Sequence, residues 1–303
     1  YYDSSINYDE YDTDGDNYID AIYLVYTAPI DYESDDSLYW AFTYQYFTDD
    51  YEYYDNVEAD FYCFMGYDFL FETLSNGNKV KYNAETIIHE SGHLFGLDDY
   101  YDYEENNGPD GGVGGGDMMD YNVGDHNPFS KMLLGWVTPK VIDANNINTD
   151  ITVTLNSFGQ SGECLVICNG WENSYFDEYY VIDFYTPDGL NALEAGYSGL
   201  FSVSGIRIYH IDATLNNPSN VSSVWDVYKS NNSNTSHKLI QLVQADGLNE
   251  IENDNAYSDN EDLFQVNDKY SDIKWYDNSS CKFEIVVNAI GASSATITIN
   301  YIG

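Results

Sequence analysis

The chain has 303 residues, 43% of them hydrophobic and 17% aromatic, with 52 acidic against 10 basic side chains and a formal charge of −42. That length covers about two average domains with ample apolar content for buried cores, and 32 tyrosines exclude a disordered chain, which would be poor in aromatics. Nucleic acid and anionic membrane surfaces, which need clustered Lys or Arg, are excluded as partners, whereas cations, calcium in particular, are favoured.

Much of the charge reads as a solvated surface that keeps a secreted protein soluble. No apolar run reaches the roughly eighteen residues that a membrane helix needs, so no span is expected. No basic n-region precedes an apolar stretch, and Tyr1 opens in strand-like or loop-like sequence. The expectation is an extracellular piece of a longer precursor whose signal and any pro-segment lie outside this chain. A monomer is expected. Cys63, Cys164, Cys168 and Cys281 are too few and scattered for a disulfide framework, and Cys164 and Cys168, four apart in an apolar strand-like segment, read as buried thiols in preference to zinc ligands.

Residues 1–82 alternate strand-like segments with acidic loops. The run Y-D-T-D-G-D-N-Y-I-D at 11–20 comes first. Oxygens from Asp12, Asp14, Asp16 and Asp20 around a glycine turn, with the Tyr18 carbonyl, match the front half of a calcium loop. Tyr23 stands where an EF-hand needs its bidentate glutamate, and a strand follows instead of a helix, so a full EF-hand is excluded. An ordinary acidic turn is the alternative. Asp98, Asp102 and Asp110 form a second cation candidate. Residues 18–27, ended by Pro29, form the clearest strand, and 38–48 and 61–65 are further candidates.

Asn83 reads as an N-cap for a helix from Ala84 to about Gly96, with Ile87, Ile88, Leu94 and Phe95 on its apolar side. Within it, residues 89–99 read H-E-S-G-H-L-F-G-L-D-D. Two histidines four apart share one helix face, so His89 and His93 can grip one metal ion together. Glu90 lies beside the first ligand, placed to act as general base toward water on the metal. Gly96 turns the chain so that Asp99 can return as a third ligand, with Asp98 the alternative if the register shifts by one. The glycine-rich stretch 106–116 suits an irregular path around an active site. A further helix is expected from Pro128 through Leu134, before Gly135.

Beyond about residue 145 the character changes. Segments 151–155, 164–168, 179–184, 206–211, 239–243, 283–287 and 295–301 read as short strands with turn residues between them, and 216–236 as a surface loop. This predicts a β-sandwich or related all-β module after the first domain. The fold class expected is α+β, with domains at 1–145 and 146–303. His126, His210 and His237 lack a partner at ligand spacing and read as structural.

Three segments carry a resemblance: H-E-S-G-H-L-F-G-L-D-D-Y-Y-D, then D-M-M-D-Y at 117–121, then N-P-F-S-K-M-L-L-G-W-V-T-P. Together they resemble the immune inhibitor A family of secreted bacterial metallopeptidases, strongly over about 85–140 and faintly after 240. The resemblance implies a metzincin-like catalytic domain joined to β-rich modules. It further implies an extracellular zinc endopeptidase acting on protein or peptide substrates, with His89, His93 and Asp99 as ligands and Glu90 as base. It places a methionine turn under the metal, at Met119 in preference to Met118. Tyr121 then stands where a tyrosine can hydrogen-bond the oxyanion, although in a chain with 32 tyrosines packing is the favoured reading. The rival readings are a catalytically inactive, calcium-stabilised binding or adhesion module and a zinc amidase acting on cell-wall material.

Overall fold

The computed structural model describes residues 5–27, 40–46, 54–73, 79–103, 112–217, 219, 227–233, 236–254 and 256–303. Pro29, Asp110, and parts of the expected strand 38–48, the glycine-rich stretch and the loop 216–236 lie outside the described residues. Contacts divide the chain into two compact units, residues 1–98 and 99–303.

In the first unit, β-branched and aromatic residues build a three-stranded sheet from β1 (Ile22–Tyr26), β2 (Phe42–Gln45) and β3 (Phe61–Gly66), in the order β1-β3-β2. β1 runs parallel to β3 and β2 antiparallel to it, with Thr43 opposite Cys63. Because side chains alternate across a sheet, Ala41, Cys63 and Met65 fall on one face, where Phe69, Leu70, Ile87 and Leu94 close a small core. The ring of Phe64 meets those of Phe42 and Tyr26 at 5.0 and 4.5 Å between centroids. A two-stranded sheet of β4 (Phe71–Thr73) and β5 (Lys79–Tyr82) leads into helix α1 (Glu85–Leu94). The helix starts one residue later than expected, with Ala84 as its N-cap, and the Asn83 side chain accepts the Glu85 N–H at 2.8 Å from just before it.

The second unit opens with two short helices, α2 (Met118–Tyr121) and α3 (Pro128–Leu133). Each is capped by a buried side chain: Asp117 Oδ1 accepts the Met119 N–H at 2.8 Å, and Asn127 Oδ1 accepts the Ser130 N–H at 3.0 Å. Pro128 occupies the first turn of α3, where a missing N–H costs nothing. Then follow β6 (Lys140–Asp143), β7 (Ile151–Asn156), α4 (Phe158–Ser161), β8 (Cys164–Cys168), β9 (Glu178–Tyr185), β10 (Gly205–Asp212), β11 (Ile240–Leu242), α5 (Glu250–Asp254), β12 (Lys269–Tyr270), β13 (Phe283–Ile290) and β14 (Ser294–Tyr301).

These strands make a five-stranded sheet, β11-β10-β9-β8-β6, and a four-stranded sheet, β12-β13-β14-β7. Inward residues of both, such as Leu165, Ile182 and Ile208 from one and Phe283, Ile297 and Ile299 from the other, share a single core. All the strands expected after residue 145 are present. The change of composition at 145 and the division of contacts are different boundaries. β6, just before 145, pairs in parallel with β8, so residues 99–145 cluster with the β-rich part. The protein is thus mixed α and β, with several sheets and few helices. All four cysteines are free and buried. Among the described residues no helix is long and apolar enough to cross a membrane.

Candidate metal centre

Helix α1 hides its polar residues. His89, Glu90 and His93 are 5%, 5% and 9% exposed. The end of the helix explains how two buried imidazoles are oriented. Gly96, at φ +87°, takes the left-handed conformation that other residues avoid, so its N–H reaches the His93 carbonyl (2.9 Å) while the Leu97 N–H reaches that of Gly92 (3.0 Å). This turn brings the Leu97 carbonyl to 2.7 Å from His93 Nδ1. A carbonyl only accepts, so Nδ1 carries a proton toward it and Nε2 faces the other way. There it meets His89 Nε2 at 3.2 Å. Tetrahedral zinc with bonds of about 2.0–2.1 Å sets its nitrogens about 3.3 Å apart, so the pair has the spacing of two ligands on one ion.

Asp99 completes the set: one ligand atom each from His89, His93 and Asp99 lie within 4.8 Å of one another. Asp98 is not among them. The Tyr103 hydroxyl hydrogen-bonds Asp99 Oδ2, the sort of outer contact that holds a carboxylate ligand in orientation. Two imidazoles and one carboxylate are a donor set suited to zinc.

Glu90 has its own support. Thr43 Oγ1 donates to Glu90 Oε2 and to the Glu90 carbonyl, each at 2.9 Å. Cys63 lies close by, its thiol pushed up to about 12 by burial and then by the charge of Glu90. At the next residue of the helix, the hydroxyls of Tyr23 and Ser91 are 2.7 Å apart, tying β1 to α1.

Met119 is fully buried, its carbonyl accepting the Tyr100 N–H at 2.8 Å. The expected methionine turn is one turn of helix, ended by Asn122 at φ +58°. Tyr121 is 50% exposed, its ring 5.4 Å from that of Tyr257. The described part of the glycine-rich stretch is closely packed. A Cβ at Gly114 would meet the Ser258 nitrogen at 2.6 Å, and one at Gly116 would meet Ser258 Oγ at 2.7 Å. His126 packs against Trp136, His210 hydrogen-bonds Glu178 at 2.9 Å, and His237 stacks on Tyr276.

The acidic loop folds around its first aspartate. Asp12 accepts the N–H groups of Gly15 (2.7 Å), Asp16 (3.2 Å) and Asn17 (3.0 Å). One carboxylate oxygen each from Asp12, Asp14 and Asp20 lie within 4.8 Å of one another. Asp16 is not in that group: its Oδ1 instead accepts the Tyr18 N–H at 2.8 Å.

No family model matches the chain. A search of curated proteins finds no match either.

Three positions escaped the sequence reading: Thr43, the Leu97 carbonyl, and a buried charge cluster in the second unit. The cluster pairs Asp183 with Arg207, opposite each other on β9 and β10, with Arg207 Nη2 donating to Asp183 Oδ2 at 2.8 Å. Asp117 and Glu194 lie near the same guanidinium. A signal did exist, since the only arginine in the sequence sits inside the apolar strand G-I-R-I-Y-H-I-D.

Proposed function

We propose that the chain is a secreted zinc-dependent metalloendopeptidase of the metzincin-like kind, with His89, His93 and Asp99 as ligands and Glu90 as general base. The observation that carries this reading is the 3.2 Å approach of two Nε2 atoms, one of them on an imidazole whose Nδ1–H is taken by the Leu97 carbonyl. A hydrogen-bonded core histidine needs one partner; two imidazoles turned ring to ring with a carboxylate at hand suit a shared cation.

Bound zinc supplies Lewis acidity, bringing the pKa of water toward about 7 and polarising a peptide carbonyl. The protein's own part is proton transfer. Glu90 takes a proton from the attacking water and hands it to the amine that leaves, so the carboxylate returns to its starting state. Its burial keeps bulk water from competing for that proton. Tyr121 is given no step in this reading; its ring packs beside that of Tyr257. We further propose calcium on Asp12, Asp14 and Asp20, as a stabiliser of the first unit.

The test is chelator-sensitive hydrolysis of an unfolded protein substrate, run beside a cell-wall amide substrate. Glu90→Gln is expected to keep its zinc by elemental analysis and to lose about 10²–10⁴-fold in turnover. Equal turnover in the variant and the parent removes the assignment. Absence of hydrolysis in both, with zinc bound, supports the binding-module reading, and selective cleavage of the cell-wall amide supports the amidase.

A further inference from the structure

Strand β2 turns alternate side chains toward α1. Ala41 is buried in the core shared with that helix, Phe42 and Tyr44 are exposed, and Thr43 sits between them on the inward side. Its cross-strand partner, Cys63, is fully buried. An apolar residue such as valine would fill the same space. The hydroxyl is therefore the feature that needs a reason.

Its contacts supply one. Oγ1 stands 2.9 Å from Glu90 Oε2 and 2.9 Å from the Glu90 main-chain oxygen, a three-centre arrangement in which one proton serves two acceptors of the same residue. Such a contact fixes the carboxylate against the backbone that carries it, and so fixes the side-chain torsions between. The donor is itself rigid, since a β-branched side chain on a strand has few rotamers. Across the strand pair, the Cys63 thiol has its pKa pushed up, by burial first and then by the charge of Glu90.

We propose that Thr43 is a positioning residue for Glu90, anchoring Oε2 so that Oε1 performs the proton transfer. This rests on the peptidase reading above, and deepens it: the general base is held in one rotamer by a neighbouring strand, with the two carboxylate oxygens given separate tasks. A base free to rotate would spend much of its time with neither oxygen at the reacting proton, and misplacement of about 1 Å costs on the order of 10²-fold in rate.

Two substitutions separate this from a merely structural bond. Thr43→Val keeps the shape and removes the donor, whereas Thr43→Ser keeps the donor and removes a methyl group. Thr43→Val is expected to lower kcat by about 10- to 100-fold with KM and zinc content unchanged. Thr43→Ser is expected to remain within about threefold of the parent. Crystal structures give a readout independent of turnover: one Glu90 rotamer in the parent and in Thr43→Ser, and more than one in Thr43→Val. Parent-like kcat with a single Glu90 rotamer in Thr43→Val overturns the proposal. Equal losses in both variants, tracking a fall in Tm, overturn it too, since they mark a packing role. An inactive parent that Glu90→Gln does not change defeats the peptidase reading instead, and the rotamers then decide whether Thr43 holds Glu90 at all.

Discussion

Carboxylates are handled in opposite ways at two places in this protein. In the loop 12–20 they lie at or near the surface, bend around their own backbone N–H groups, and gather three at a time. In the second unit Asp117, Asp183 and Glu194 are 0%, 0% and 1% exposed, around a single arginine. Water and mobile cations can stabilise the charge of the first group. They cannot reach the second, where charge must be met by a guanidinium, by backbone donors, or by a proton. The difference teaches that a formal charge of −42 is not one property. One part of it answers to cations and another to pH.

The largest effect is expected from the buried group. Burial pushes Glu194 from its ordinary 4.5 up to about 8, with Tyr185 donating to only one of its oxygens, at 3.1 Å. Burial likewise raises Asp117 to about 7, against two backbone N–H donors that pull it down. A carboxyl with a raised folded pKa binds its proton more tightly folded than unfolded. Its contribution is therefore complete below about 4.5 and is lost as pH rises toward about 8. Each such group is worth on the order of a few kcal/mol at most. Thermal melting of the protein should be highest near pH 5 and fall steadily to about pH 8.5. Glu194→Gln, which mimics the protonated form, should flatten much of that slope. A melting temperature flat across this range in the parent would erase the distinction between the two regions.

A cation titration probes the other side of the comparison. Millimolar calcium should raise Tm by a few degrees, through mass action on the folded state alone. Asp14→Ala should lose most of that response. Asp16→Ala should keep it, because the Asp16 carboxylate is turned to the Tyr18 N–H and away from the cluster. Glu194→Gln should respond to calcium as the parent does. Equal calcium shifts in Asp14→Ala and the parent would mean that the loop is an acidic turn and nothing more.

What the sequence shows and hides follows the same line. Helix α1 is legible because its signals are local, an asparagine at its start and a glycine where a left-handed residue ends the last turn, although Ile88 and Phe95 of the expected apolar side are exposed and only Ile87 and Leu94 reach the core. The pair His89 and His93 inherits that legibility, since helical geometry alone puts them on one face. The strands of the second unit are legible from alternation, and Cys164–Cys168 forms a strand with the bounds expected. Glu194 is another matter. Nothing near it distinguishes it from the surface acids, and its burial depends on Gly116 and Gly124, where a Cβ would come to 3.2 and 2.8 Å from its oxygens. Thr43 is hidden for a similar reason. It acts on a residue 47 positions away, through a sheet register that only the fold supplies. Short-range chemistry can be read from spacing; desolvation and cross-strand contacts cannot.

The smallest expected effect is also the sharpest separator. Raising monovalent salt from about 0.1 to 1 M shortens the screening length from about 10 to 3 Å. Exposed carboxylates repel less at high salt, so the parent should gain about a degree in Tm, and Asp14→Ala, which has one charge fewer in the cluster, should gain less. The buried acids lie where salt does not penetrate, so the fall in Tm between pH 5 and 8.5 should have the same slope at both salt concentrations. A slope that collapsed at 1 M would place its origin in long-range surface repulsion, and would transfer the pH response from Glu194 to the exposed acids of the chain.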